Sequence, residues 1–348
     1  MRHAGLNIVA VGGGTGLSTL LRGLKKYVEA EGAWSIHKLA AIVTVTDEGG
    51  SSGLLRKEFG MLPPGDIRNC IVALAEEEQL LSRLFNYRFD TDSALKGHSL
   101  GNLLLTALTE ITGSFDNAIL AAQEVLAIRG EIIPSTLADV RLRATLADGS
   151  ELIGEVAISG SQIGEQPRRT PHHARIVHLG IDPPDAAPPD RAVEAIAGAD
   201  MIIIGPGSLY TSVLPNLAIK QIADAIREAK ALRVYICNVM TQPGETDGYT
   251  AEEHLSAIIE HAGLLVDVMI INGRRPSEAI IEAYAAQGQQ PVSFDVNAIR
   301  ELGMTPFFGD IIAEGNFVRH DSAALADTIF RLYDRYGRTL ERMRRTEG

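Results

Sequence analysis

The chain has 348 residues, enough for two ordinary domains or one large one, and its 45% hydrophobic and 22% charged residues suit a globular protein with a buried core. Its 32 basic against 44 acidic residues give a formal net charge of -12, the wrong sign for general binding to nucleic acid or to an anionic membrane, so any phosphate must be held by a local site. No apolar run approaches the ~20 residues of a membrane span and no secretory signal opens the chain, so membrane insertion is excluded and a cytoplasmic protein is predicted.

The apolar runs at 6–11, 39–46, 201–205, 233–239 and 266–272 predict five strands, each ending in glycine or polar residues. Helical periodicity covers 17–29, 67–75, 100–112, 117–126, 213–230, 251–263 and 322–336. This alternation predicts an α/β fold, a Rossmann-like doubly wound, mostly parallel sheet. Between the two groups of strands, 139–146 and 151–158 alternate apolar with polar residues around Asp148-Gly149, a hairpin signal, and 182–190 carries four prolines. The expected organisation is a core in two parts, 1–130 and 191–348, with a small β-rich inserted subdomain and its Pro-rich linker at 131–190.

Candidate ligand contacts come at the strand ends. Gly12, Gly13, Gly14, Thr15 and Gly16 follow the first strand and open the first helix, where backbone N–H groups can close around a phosphate. Leu17 stands where a full G-x-G-x-x-G fingerprint would have its last glycine. The second strand runs into Asp47, Glu48, Gly49, Gly50, Ser51, Ser52 and Gly53, a glycine loop with a carboxylate that can hold ribose hydroxyls or a divalent metal. Gly65 and Asp66 begin the next helix with Arg68 and Asn69 on its first turn, and Asp66 alone is explained as a cap. His98, Ser99 and Asn102 gather at another helix start, where His98 can be a general acid or base, a phosphate donor or a structural histidine. Gly205, Pro206, Gly207, Ser208, Leu209 and Tyr210 form a second anion-binding loop, and Asn238 and Gln242 follow the next strand. All these loops would share the carboxyl edge of one sheet, where open α/β folds bind ligands.

Other chemistries are excluded or unsupported. The two cysteines, Cys70 and Cys237, fit buried apolar positions and no Cys-x-x-Cys zinc site. There is no His-Glu-x-x-His, His172 and His173 lie in an irregular polar stretch, and His254 and His261, seven apart, read as a solvated helix face. No Gly-x-Ser-x-Gly elbow occurs, and 5% aromatics offer no stacking platform for single-stranded nucleic acid. The arginine-rich segment from Arg331 reads as a solvated face.

Six motifs, at 11–16, 44–53, 63–69, 97–102, 205–212 and 238–246, together resemble the YvcK-type gluconeogenesis factors, within the wider family that includes the 2-phospho-L-lactate transferases. The segment Phe317-Val318-Arg319-His320-Asp321 is also similar to the YvcK-type pattern. The resemblance implies a Rossmann-like cytoplasmic protein that binds a nucleotide-type ligand, a UDP-sugar, and is linked to cell shape and envelope synthesis under gluconeogenic growth. One departure stands out: the pattern usually has a second Asp where this chain has Glu48, whose longer side chain counts against metal coordination there.

Three functional readings follow. In the first, a regulatory protein senses a nucleotide sugar held by the glycine loops and by Arg319, either as a phosphate partner or paired with a carboxylate, and signals to a protein partner. In the second, a Mg²⁺-dependent transferase uses Asp47 and Asp66 around the metal and His98 as its proton carrier. The third is an NAD-dependent oxidoreductase. A homodimer is the default assembly.

Overall fold

β1 (Leu6–Gly12) and β2 (Ile36–Val43) pair in parallel at the centre of a sheet that grows outward in two stages. The chain first steps from β2 to β3 (Glu131–Pro134) at one edge. After an excursion through β4 (Arg141–Leu146), β5 (Glu151–Ile153) and β6 (Ile176–Asp182), it returns to the other side of β1 with β7 (Met201–Ile204). It then steps out through β8 (Leu232–Ile236), β9 (Val268–Asn272) and β10 (Thr305–Gly309). The computed structural model describes residues 5–76, 78–90, 92–160, 174–314 and 318–337; His172, His173, Phe317 and the chain from 338 onward lie outside the described residues.

The strand order is β10-β9-β8-β7-β1-β2-β3, all parallel, which is the Rossmann order with one strand added. Both faces are covered, so the central strands are apolar throughout rather than alternating; every residue of β7, Met-Ile-Ile-Ile, is buried. Five strands are expected from the sequence and seven are found. The additional two, β3 and β10, are the edges, and each contains a proline, Pro134 or Pro306, which an edge tolerates and which masks a strand signal. Residues 131–134 therefore belong to the main sheet rather than to the β-rich insertion.

Between β2 and β3 lies a helical layer: α2 (Gly50–Phe59), α3 (Gly65–Leu74), α4 (Glu78–Phe85), α5 (Leu100–Thr112) and α6 (Phe115–Val125), with α1 (Gly14–Leu24) following β1. Of the glycine segment at 48–53, expected as a loop, residues 50–53 are instead the first turn of α2, with Ser51 and Ser52 buried. The single helix expected over 213–230 is broken into a π-helical turn at Leu209–Val213, a short helix at Leu214–Leu217 and a longer one at Lys220–Glu228.

β5, β4 and β6 form a small antiparallel sheet whose hairpin turns at Asp148-Gly149, with Gly149 at φ 85°. The second expected strand, 151–158, stops early because Gly154 takes φ 89°, and α7 (Glu155–Ser159) follows. This sheet docks on the helix Ala251–Ala262 through groups assigned above to solvent: the Leu179 N–H donates to His261 Nε2 at 2.9 Å, and the His261 and His178 rings stack at 5.5 Å. His254 is fully buried against Tyr249, with Nδ1 2.8 Å from the Thr250 carbonyl oxygen. The solvated-face reading of these two histidines is thus overturned: a second packed layer covers that side of the helix. Cys70 and Cys237 are buried as expected.

Candidate functional site

The sheet reverses its order between β1 and β7, so the loops leaving those strands diverge and open a crevice at the carboxyl edge. Glycine is required where they meet. A β-carbon on Gly16 would stand 2.3 Å from the Pro206 carbonyl oxygen, and one on Gly13 would stand 2.5 Å from Thr44 Cγ2 and 2.6 Å from an Asp66 carboxylate oxygen. The crevice has a volume of about 420 Å³, within the range of ligand pockets. Gly13, Gly14, Thr15 and Gly16 line one wall, at the amino terminus of α1, where unpaired N–H groups favour an anion. Gly207 and Ser208 line the other, and Gln242 joins them to the next loop: its Nε2 donates to Ser208 Oγ at 2.7 Å and its Oε1 accepts from Asn238 Nδ2 at 3.2 Å. A larger cleft of about 880 Å³, lined by Asn7, Lys38 and Arg129, opens at the opposite edge, away from the carboxyl ends of the strands and from every glycine loop.

Carboxylates gather at the rim. Asp47 lies over the amino terminus of α3, so close that a β-carbon on Gly65 would stand 2.1 Å from its Oδ2, and its Oδ1 accepts from the Gly49 N–H at 2.8 Å. Asp66 is pushed up to about 7, first by burial and then by the charge of Asp47, while the Gly14 N–H and Arg68 act the other way. Glu155 reaches the crevice from α7, accepts from the Glu48 N–H at 3.0 Å and is raised well above the ordinary carboxylate range by burial and by Asp47. Glu245 is buried beneath the second glycine loop, accepts from Thr211 Oγ1 at 3.2 Å and from the Tyr210 N–H at 3.3 Å, and is pushed up to about 7 by burial.

Opposite these acids, β12 (Val318–His320), paired with β11 (Ile312–Glu314), brings Arg319 to the crevice. No carboxylate among the described residues pairs with Arg319. His320 beside it is driven down to about 4 by burial, hence neutral, and its Nε2 has no partner among the described residues.

Of the candidates from sequence, Gly13, Gly14, Thr15, Gly16, Asp47, Asp66, Gly207, Ser208, Asn238, Gln242 and Arg319 are brought together. Gly12 and Gly205 sit beneath the loops. Ser51, Ser52, Asn69, His98 and Asn102 do not line the crevice; they form a network behind it, with His98 Nδ1 3.0 Å from Ser51 Oγ, and Asn102 Nδ2 donating to Ser51 at 3.1 Å and Ser52 at 3.4 Å. Arg68 joins this network by donating to Ser99, Asn102 and Asn69, which ties the starts of α2, α3 and α5 together. His98 thus lies within this network and not on the crevice wall, the placement that the structural alternative for it would give. Leu209 and Tyr210 are also withdrawn from the crevice: both are buried, and the Tyr210 hydroxyl bonds Tyr249 at 2.9 Å and the Ile176 carbonyl at 3.2 Å.

Glu48 ion-pairs with Arg56 and Arg141 at 3.7 and 3.8 Å and its carboxylate sits against Gly154, so it anchors the small sheet. Glu155, Glu245 and His320 carry no earlier assignment. Glu245 and His320 lie inside motifs quoted above, whereas nothing in the local sequence marks Glu155, which arrives from the inserted segment.

The architecture is that of a Rossmann-like α/β protein with its candidate site at the reversal of strand order. The profile of the family described as 2-phospho-L-lactate transferase CofD matches residues 8–312, and the chain belongs to that family. An Aquifex aeolicus relative is 47% identical over 94% of this chain and 97% of its own length. The Bacillus subtilis (strain 168) protein called gluconeogenesis factor is 42% identical over 92% of this chain and 96% of its own. A crystal structure of a UPF0052 family member from Bacillus halodurans covers 94% of this chain and 100% of that one at 42% identity, with a TM-score of 0.86. Among the described residues no helix is long and apolar enough to cross a membrane.

Proposed function

We propose that the crevice binds a nucleoside diphosphate sugar, of the UDP-sugar class, and that the chain is a cytoplasmic regulatory binding protein, a gluconeogenesis factor whose occupancy is read by a partner controlling envelope synthesis and cell shape. The observation that carries this reading is the direct apposition of two glycine-rich loops across the point of sheet reversal, with Arg319 facing them. Backbone N–H groups at a helix start favour a diphosphate, and guanidinium matches phosphate in a bidentate fork. Asn238, Gln242 and the neutral His320 supply donors and acceptors for the nucleoside or sugar. The name gluconeogenesis factor, borne by relatives, supports the gluconeogenic part of this reading.

A second reading, a Mg²⁺-dependent transferase like the one the family is described by, is favoured by Asp47 and Asp66. Two carboxylates suffice for Mg²⁺ when ligand phosphates complete its shell, and a buried acid pushed up to about 7 by burial and by an adjacent carboxylate is a site where a cation would favour the charged form. Bound there, Mg²⁺ would neutralise the diphosphate. An NAD-dependent oxidoreductase is disfavoured, because the wholly buried Leu17 stands where the dinucleotide fingerprint has its last glycine, the residue that serves close helix–strand packing there.

Isothermal titration of nucleotide-free protein with UDP-N-acetylglucosamine, followed by mass spectrometry of the recovered ligand, tests the proposal. Saturable binding with intact ligand supports the regulatory reading. Conversion of the ligand supports the transferase, and absence of binding overturns the UDP-sugar assignment.

A further inference from the structure

Arg319 faces the glycine loops from a strand that cannot hold itself in place. β11 and β12 are three residues each and form a sheet of two strands, and a ribbon that short is marginal in water. The Asp321 N–H donates to the Ile311 carbonyl at 2.8 Å, and bonded pairs alternate along an antiparallel ladder. Arg319 is therefore bonded to Ala313, while the N–H and C=O of Val318 point away from β11.

Those two groups meet one side chain. Tyr284, in the last turn of the helix Glu278–Ala285, accepts from the Val318 N–H at 3.1 Å and donates to the Val318 carbonyl at 3.3 Å through the same hydroxyl. A hydroxyl can do both, so it supplies what a neighbouring strand would. The end of this helix is tied in turn to the wall that holds Ser208. The Tyr284 carbonyl accepts from the Gln289 N–H at 3.0 Å, Gln289 Nε2 donates to the Thr241 carbonyl at 3.1 Å, and the Thr241 N–H donates to the Gln290 carbonyl at 2.8 Å. Thr241 adjoins Gln242, whose side chain joins Ser208 to Asn238. A chain of hydrogen bonds thus runs from the second glycine loop to the residue before Arg319.

We propose that Tyr284 is a positioning residue, whose hydroxyl fixes Arg319 over the glycine loops and in register with Asn238 and Gln242. The proposal rests on the reading of Arg319 as the diphosphate partner. On the carboxyl side of Arg319, His320 bonds the Cys237 backbone and Asp321 caps the following helix through the Ala323 and Ala324 N–H groups. On its amino side, no side chain among the described residues other than Tyr284 bonds Val318. With the backbone fixed at both sides, ligand binding has only the arginine side chain left to order, and affinity gains by that pre-organisation.

Tyr284→Phe, which keeps the ring and removes the hydroxyl, is expected to weaken UDP-N-acetylglucosamine about 3–10-fold, the scale of one neutral hydrogen bond. In an Arg319→Ala background the same change should cost nothing further, because the tether then positions no guanidinium. Without ligand, hydrogen exchange over 312–320 should quicken in Tyr284→Phe, while exchange over 322–332 and the melting temperature stay as in the wild type. Unchanged exchange over 312–320 would overturn the tether. A full affinity loss in the Arg319→Ala background would overturn it too, placing Tyr284 on the ligand itself, as its position on the crevice wall allows. A wild type that binds no UDP-sugar would sink the ligand reading instead, and the exchange comparison would still decide whether Tyr284 holds the strand.

Discussion

Asp66 carries the most definite pH prediction. Its ordinary value near 3.8 is raised to about 7, first by burial and then by Asp47. Below pH ~4 the folded and unfolded chains both hold the proton and nothing is lost; between pH ~4 and ~7 only the folded chain holds it, so stability falls as pH rises, and above ~7 the full cost is present. Asp66→Asn is therefore expected to stabilise the ligand-free protein by on the order of 2–4 kcal/mol at pH 8 and to have little effect at pH 3.5, read from denaturant midpoints. In the wild type, Mg²⁺ should raise the melting temperature more at pH 8 than at pH 5, and Asp66→Asn should abolish that difference; an equal Mg²⁺ effect in the variant would remove Asp66 from the cation site. Arg319 belongs to the other half of the ligand. Since it is exposed and makes no ion pair among the described residues, Arg319→Ala should leave the melting temperature unchanged while weakening UDP-N-acetylglucosamine roughly 10–100-fold, the loss of one or two charge-assisted hydrogen bonds. Asp66 was legible in the sequence because it opens a helix inside a dense polar motif, whereas Arg319 was picked out through the family resemblance of its segment. Glu155 was not: its role depends on a turn at Gly154 and on an inserted segment folding back over the sheet, neither of which leaves a local trace.

At the scale of elements, the two glycine loops are a single device, and their contact predicts the outcome of a minimal substitution. Gly16→Ala places a methyl 2.3 Å from the Pro206 carbonyl, backbone against backbone, so the loops must part. The cost expected from overpacking, ~1–3 kcal/mol, should appear as a lowered denaturation midpoint together with loss of ligand binding. Alanine at Gly60, the left-handed end of α2 with open space around it, should cost only ~1 kcal/mol for its positive φ and leave binding intact. Equal binding losses in the two variants would mean that general destabilisation, not loop geometry, governs the site. Elements also mark where sequence periodicity runs out. α5 could be read to the residue because its caps are explicit, Ser99 before it and the left-handed Gly113 after it. The break of 213–230 could not, since the turn between its two helices falls on Ala218 and Ile219, apolar residues with no glycine or proline to mark a stop. The edge strands were hidden for the opposite reason, each being short and holding a proline.

For the molecule as a whole, the crevice concentrates acid in a chain that is already negative. Asp66 and Glu245 are held near 7 and Glu155 is raised well above the ordinary carboxylate range by burial and by Asp47, so at neutral pH the ligand-free site carries protons that the unfolded chain would not. Binding must move those protons, and the direction depends on what enters. A nucleoside diphosphate alone adds negative charge beside the acids, raises them further and draws protons in; the same ligand with a divalent cation lowers them and expels protons. Calorimetric titrations at pH 7 in two buffers of different ionisation enthalpy should thus give net proton uptake for UDP-N-acetylglucosamine in the presence of chelator and net release in the presence of Mg²⁺. The reversal should shrink in Glu155→Gln and Asp66→Asn, which no longer carry the moving protons. Identical proton counts with and without Mg²⁺ would show that no cation enters with the nucleotide. The glycine loops and Arg319 would then have to balance the diphosphate unaided, against four acids that the fold itself brings to the same edge.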